Sequence, residues 1–221
     1  MKNDFDKHIY LVRHGRSRAN ETGIREGKDS PLTDEGEKQA EFLADRFRGM
    51  PVELVLSSHF KRAHDTGKKV AQACNAPIEV VPMAYERELP PAMYGLHRDD
   101  PIVQANVSKF EDEWMQGKTG EGESFADIKR RVVELTELLE ARPEKHIVVT
   151  SHGFFLKFFT AHQLLGEYLT PEIFVKKMMY SMRSANTGIT YFTVSNENDW
   201  TLSAWNDYAH LGELVRERWY S

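Results

Sequence analysis

With 221 residues, 40% of them apolar and 29% charged, the chain is long enough for one domain with a full core and short for two, and residues 1–221 read as a single domain. No apolar run approaches the roughly 20 residues that span a bilayer, and the opening MKNDFDKHIY carries charge where a signal peptide is apolar, so a cytoplasmic location and no membrane partner are expected. A net charge of -5 with Lys and Arg spread along the chain argues against nucleic acid, and Cys74 alone leaves no disulfide, thiolate zinc site or CxxC pair.

HIYLV is the first strand, and it runs directly into Arg13, His14 and Gly15. TDEGEKQAEFLADRFRG follows as a helix, with Thr33 or Asp34 as its N-cap and Gly49 as its stop. ELVLSS is the second strand, KRAHDTGKKVAQAC the helix after it, and IEVVP the third strand. Residues 85 to about 121 break this rhythm with ELPPAMYG, HRDDP and QGKTGEGES, rich in turn formers and acids, which predicts an insertion or lid over the sheet. SFADIKRRVVELTELLEA resumes as an amphipathic helix, with Ser124 and Asp127 in capping-box spacing. HIVVTS is the fourth strand and FFLKFFTAHQLLG its helix; GITYFTV and WTLSAW, joined through SNEND, read as an antiparallel hairpin at a sheet edge. The alternation predicts an α/β fold: a three-layer α/β/α sandwich with a mostly parallel central sheet and a lid-like insertion.

Lys7, His8, Ile9, His14 and Gly15 are matched in spacing by Lys145, His146, Ile147, His152 and Gly153, so two similar strands end in His-Gly. Ligands of open α/β sheets sit beyond the carboxyl ends of the strands. Three features fall there: Arg13-His14-Gly15, the stretch from Ser57 to Arg62, and Ser151-His152-Gly153. Two histidines and two arginines beside helix N-termini describe a phosphate pocket, because free backbone N–H groups and planar guanidinium forks both suit phosphate oxygens. A neutral imidazole is a competent nucleophile toward phosphorus, and cationic ligands can supply most of the remaining stabilisation without a metal or other cofactor. An acid for the leaving oxygen comes from AYERELPP, where Glu86 and Glu88 are both candidates.

LVRHGRSRAN, SPLTDEGEKQA, SSHFKRAHDT, YERELPP, EGESFADIKRR and VVTSHG, in that order, resemble the histidine phosphatase superfamily, also called phosphoglycerate mutase-like. The resemblance implies that His14 is the phosphorylated nucleophile, that Arg13 and Arg62 clamp the phosphoryl oxygens, and that His152 is a second ligand. It places Ser17 and Asn20 on the phosphate pocket, together with Gly153 of the second His-Gly, and it makes Glu86 the proton donor because Glu-Arg-x-x-Pro starts there. The chain departs from the family pattern at Arg18, where many members have Glu, at SSHFKRA, which lacks a Pro after the serine, and at LPPAMYG, which replaces Gly-x-Trp-Glu-Gly.

The histidines at 8, 59, 64, 97, 146, 162 and 210 read as structural, with substrate contact from the insertion as the alternative for His97. Between Glu86 and Glu123 acids outnumber bases, with Glu111, Asp112 and Glu113 clustered, which favours a phosphatase acting on a small phosphorylated substrate. The alternatives are phosphoglycerate mutase-type phosphoryl transfer and a non-catalytic phospho-ligand binding protein; a metal-dependent hydrolase lacks its HExxH or Asp-rich ligand set. The oligomeric state stays open, since the edge hairpin could pair with a partner or be capped by HLGELVRERWYS.

Overall fold

The computed structural model describes residues 5–116, 118 and 120–215, so part of the C-terminal HLGELVRERWYS, residues 216–221, lies outside the described residues. Six strands form one sheet in the order β3-β2-β4-β1-β5-β6. They are β1 (Phe5–Arg13), β2 (Leu54–Ser57), β3 (Ile78–Val80), β4 (His146–Ser151), β5 (Ile189–Ser195) and β6 (Trp200–Asp207). β1, β4, β2 and β3 run parallel, and β5 and β6 add an antiparallel edge hairpin. The sequence echo is a structural register: His8 pairs with His146, Ile9 with Ile147 and Arg13 with Ser151. The two His-Gly turns therefore leave neighbouring strands at the same level.

Alternation along the strands divides the core into two layers. Ile9, Leu11, Leu56, Ile147 and Val149 pack under α5 (Phe125–Ala141) and α6 (Gly153–Leu165), while Tyr10, Val12, Val55 and Val148 face α2 (Asp34–Phe47) and α3 (Lys61–Cys74). This is the expected α/β/α sandwich. The capping box at Ser124 and Asp127 forms, and Thr33 is the N-cap of α2, accepting from the Gly36 N–H at 3.1 Å. A short helix, α1 (Arg18–Thr22), follows the first His-Gly turn.

Residues 85–121 hold more regular structure than their composition predicts. Asp100 caps a 15-residue helix, α4 (Pro101–Met115), by accepting from the Ile102 N–H at 2.8 Å, and Pro101 occupies its first turn. Val103, Phe110 and Trp114 form its buried side, and Phe110 and Trp114 join the larger core cluster. Three widely spaced inward residues gave a weak helical signal beside strong turn punctuation. Both ends of the segment are tied together: the Glu123 N–H donates to the Glu88 carbonyl, and the Glu123 carboxylate pairs with buried Arg131, whose guanidinium also holds the carbonyls of Met83 and Tyr85. That anchorage fixes the chain just before Glu86.

After α6, a single α-helical turn, α7 (Pro171–Ile173), continues into a π-helical turn over Phe174–Met178, with Phe174 fully buried against Phe158. Nothing in the composition of this stretch announced it. Its consequence is positional, because it returns residues 183–186 to the carboxyl ends of β1 and β4. No helix among the described residues is long and apolar enough to cross a membrane.

Candidate active site

The carboxyl ends of the parallel strands open on a cavity of about 550 Å³ whose wall includes Arg13, His14, Ser17, Asn20, Arg62 and Glu86. Gly15 follows β1 because the chain is pressed against α2 there, and a Cβ would lie 2.5 Å from the Gly36 carbonyl oxygen. The turn is then held to α3: the Gly15 N–H donates to the Thr66 hydroxyl at 3.0 Å, and that hydroxyl donates to the Arg62 carbonyl at 2.8 Å. Thr187, at φ 55°, sits in the left-handed region that β-branched residues avoid, and its N–H donates to the Arg13 carbonyl at 3.0 Å.

His14 is 3% exposed, and its tautomer follows from its partners. Nδ1 lies 2.7 Å from the Gly15 carbonyl, which can only accept, so Nδ1 carries the proton. Nε2 then has a lone pair, toward which the Arg62 Nε–H points at 3.1 Å. Burial first, then the positive charges of Arg62 and Arg13, hold the imidazole well below its ordinary 6.5, outweighing the Gly15 hydrogen bond. His14 is therefore neutral at physiological pH, with Nε2 as its basic atom.

The guanidinium groups are positioned by backbone. Arg62 is 6% exposed and also donates to the Gly27 carbonyl at 3.1 Å. Arg13 donates through Nη1 to the Ser184 carbonyl, while its Nε is buried without a hydrogen-bond partner. Gly153 opens α6 beside it, where a Cβ would lie 3.2 Å from Arg13 Nε.

Ser17 is fully buried as the N-cap of α1 and shares a capping box with Asn20. Asn20 Oδ1 accepts in turn from Asn186 Nδ2 at 3.2 Å, and the same amide nitrogen donates to the His14 carbonyl at 3.0 Å. Asn186 was not singled out in the sequence; it precedes β5 in an unremarkable SANTG, and only the path of the chain after α6 delivers it.

His152 stands behind the wall. It is fully buried, its ring centroid lies 5.1 Å from that of His14, and its Nε2 is 2.9 Å from the Ser58 hydroxyl. Nδ1 is buried without a partner. Burial, then Arg62, His14 and Arg13, keep this imidazole well below 6.5 as well.

The two acid candidates part company. Glu86 lines the cavity, with its carboxylate on the N-terminus of α6, accepting from the N–H groups of Phe154 at 3.3 Å and Phe155 at 3.2 Å and from its own neighbour Arg87 at 3.0 Å. Glu88 is exposed and lies outside the cavity wall. His97 is also outside it; it bridges to Ile24 across two loops and accepts from the Asp99 N–H at 3.2 Å.

The charge of the cavity differs from the charge of the insertion. Glu111, Asp112 and Glu113 ride on α4 away from the cavity wall, which they do not line. That wall carries eight Arg and Lys side chains against three Glu. Two of the three are already paired, Glu35 with Arg16 at 3.4 Å and Glu26 with Arg18 at 2.8 Å. The acids of α4 do not line the cavity, so the net charge of the insertion differs from that of the wall. Among the described residues, no three His, Cys, Asp or Glu side chains come together as a metal site.

Residues 9–208 match the Histidine phosphatase superfamily (branch 1). Among curated proteins, the chain is 28% identical over 218 residues to a probable phosphoglycerate mutase GpmB of Yersinia enterocolitica, covering 92% of this chain and 94% of the relative. It is 30% identical over 161 residues to an adenosylcobalamin/alpha-ribazole phosphatase of Escherichia coli, covering 72% of this chain and 79% of that protein. Among solved structures, a putative alpha-ribazole-5'-P phosphatase of Escherichia coli superposes with a TM-score of 0.76 at 26% identity, over 91% of this chain and 97% of that one.

Proposed function

The chain belongs to the histidine phosphatase superfamily, and from that premise we propose that it hydrolyses a small phosphomonoester through a covalent phosphohistidine on His14, without a metal. The observation that carries this reading is the tautomer of His14: Nδ1–H is committed to the Gly15 carbonyl, leaving the Nε2 lone pair beside the Arg62 guanidinium. A phosphoryl group held by Arg62 and Arg13 has its phosphorus in front of that lone pair. The Nε2–P bond forms as the P–O bond to the leaving group breaks, and Glu86 delivers the proton to the departing oxygen. Water then attacks phosphorus, returns a proton to Glu86 and releases phosphate as the N–P bond breaks. Ser17, Asn20 and Asn186 keep the His14 turn in place, His152 supports His14 from behind, and Gly153 lets Arg13 lie against α6. Residues 85–121 belong to the same domain as a lid.

The relatives' names, a phosphatase and a probable mutase, divide on the last step. The excess positive charge of the cavity suits a mutase as well, since a mutase must retain an anionic product beside the phosphohistidine. The test is p-nitrophenyl phosphate hydrolysis with EDTA present, intact protein against His14→Ala, with phosphate and alcohol both quantified. Turnover that survives EDTA, disappears in the variant and yields equal phosphate and alcohol is the expected result. Equal rates in both proteins would dismiss His14 as nucleophile, and loss of activity in EDTA that metal restores would dismiss the metal-free reaction.

A further inference from the structure

His210 takes no part in the chemistry above and lies past residues 9–208, the stretch that matches the family. It is the second residue of a 3-10 turn over Ala209–Val215 that follows β6 and lies against α2. Asp207 starts the turn by accepting from the Ala209 N–H at 2.9 Å, and its carboxylate is also paired with Arg46 of α2. The residue after His210, Leu211, is part of the cavity wall. The turn thus runs from the sheet edge to the candidate active site, and His210 Nε2 lies 3.1 Å from the buried Thr187 hydroxyl.

The partners fix which way that bond runs. The Thr187 hydroxyl donates its one proton to the Asn186 carbonyl at 2.8 Å, so toward His210 it can only accept, and Nε2 carries the imidazole proton. Nδ1 then has the lone pair, and it is buried without a partner. A second proton would have to sit on that buried nitrogen. Burial first, then Arg46, hold the imidazole at about 4 against the opposing pull of Asp207. His210 is therefore a neutral, one-way donor to Thr187 at physiological pH.

Thr187 is where such a donor matters. A β-branched residue at φ 55° keeps that backbone only where its surroundings hold it. In this conformation its N–H reaches both the Arg13 carbonyl at 3.0 Å and the His14 carbonyl at 3.3 Å, and Arg13 donates back to the Ser184 carbonyl of the same turn. Asn206, at the end of β6, supports the turn by accepting from the Ala185 N–H at 2.7 Å. Among the described residues, His210 is the one side chain hydrogen-bonded to Thr187 itself.

We propose that His210 is a positioning residue for the reaction at His14: by donating to the Thr187 hydroxyl it locks the left-handed turn that holds the Arg13 and His14 carbonyls, and so keeps nucleophile and phosphoryl clamp in register. For its effect on turnover the inference rests on the phosphohistidine reading of the same site.

Variants at both ends of the bond, each checked for folding by circular dichroism, test it. His210→Ala and His210→Phe remove the donor, the second with a ring left in place, and Thr187→Val removes the acceptor; each should lower kcat for p-nitrophenyl phosphate by at least about tenfold, the scale on which misplaced reacting groups are felt. His210→Gln, whose amide can donate to the same hydroxyl, should recover most of that loss. Because the two residues act through one bond, Thr187→Val combined with His210→Phe should stay within about threefold of the worse single variant. NMR of protein labelled with 15N-histidine reads the positioning without turnover: the Nδ1–H signal of His14, identified by its absence from His14→Ala, should move in His210→Phe and Thr187→Val and return in His210→Gln. An intact protein that fails to turn over would count against the phosphohistidine reading, and the NMR comparison then decides the role of His210 by itself. An unmoved His14 signal in folded His210→Phe and Thr187→Val, kcat within about threefold of the intact protein in both, or a loss in His210→Ala that His210→Phe repairs and His210→Gln does not, would overturn the proposal.

Discussion

At the amino ends of β1 and β4, His8 and His146 stack with ring centroids 4.3 Å apart and planes 11° apart; at the carboxyl ends of the same two strands, His14 and His152 lie 5.1 Å apart at 59°. Residue type, strand pair and register are shared, yet the surroundings diverge. His8 is partly exposed and hydrogen-bonded through Nδ1 to the Tyr191 hydroxyl at 2.6 Å, and Glu53 accepts from the His146 N–H at 3.0 Å. At the other end the strands deliver the chain to helix N-termini and to guanidinium groups, and both imidazoles are buried among positive charge. A histidine at a strand end acquires chemistry from what the following turn brings beside it. The parallel direction of the strands makes that the carboxyl end for both.

The sharpest way to break this comparison is to remove one histidine from each end. His14→Ala should lower kcat for p-nitrophenyl phosphate by on the order of 10⁴-fold or more, as loss of a covalent nucleophile does, whereas His146→Ala should stay within about threefold of the intact protein, since its partners lie at the opposite end of the strands. A substantial loss in His146→Ala would mean that the two ends are coupled through the strands.

Arg62 is what distinguishes the carboxyl-end pair most directly, since it donates to His14 and bears on both rings. Arg62→Ala should cost roughly 10²- to 10³-fold in kcat/KM, the range for one charge-stabilising donor. It should also raise the acidic limb of the pH profile, because a cation that disfavours protonated His14 has gone. An unchanged acidic limb would show that burial alone sets the state of His14.

Stability should depend on pH through the same pair. His14 and His152 are depressed below the 6.5 they regain on unfolding, so below that value the unfolded chain takes up protons that the folded chain refuses. Their contribution is present above about pH 6.5 and is lost as pH falls from there toward the folded values, with a slope of up to about 1.4 kcal/mol per pH unit for each group. His210, held at about 4 mainly by burial, shares the window. Urea unfolding followed from pH 8 to 5 should show this decline, reduced in His14→Ala and reduced less in His146→Ala. The smallest expected effect is at the amino end itself: His8→Ala removes one hydrogen bond and the ring stacks on His146 and Tyr191, about 1 kcal/mol of stability, with activity retained.

Much of the fold was legible because its signals are local. The six strands, the helices α2, α3, α5 and α6 and the edge hairpin follow from apolar periodicity and caps. α4 was obscured because Val103, Phe110 and Trp114 are spaced widely among polar residues and beside strong turn formers, so its buried side becomes visible only against Phe125 and Phe154. The candidate site was legible where a motif sits on a strand end, as with His14, Arg13 and Arg62. Asn186 was not, because it acts through two hydrogen bonds to residues distant in the chain, the His14 carbonyl and Asn20 Oδ1.

What the sequence determined by itself is the family, the layered α/β fold and the identity of the groups at the two His-Gly turns, because strand periodicity, turn chemistry and a repeated spacing are all written in neighbouring residues. What only the tertiary structure decided is the charge of the cavity wall and which of Glu86 and Glu88 lines it. Both depend on which way each loop and helix turns its side chains: Glu86 is directed onto the N-terminus of α6 and Arg87 onto aromatic rings, while the acids of α4 do not line the cavity.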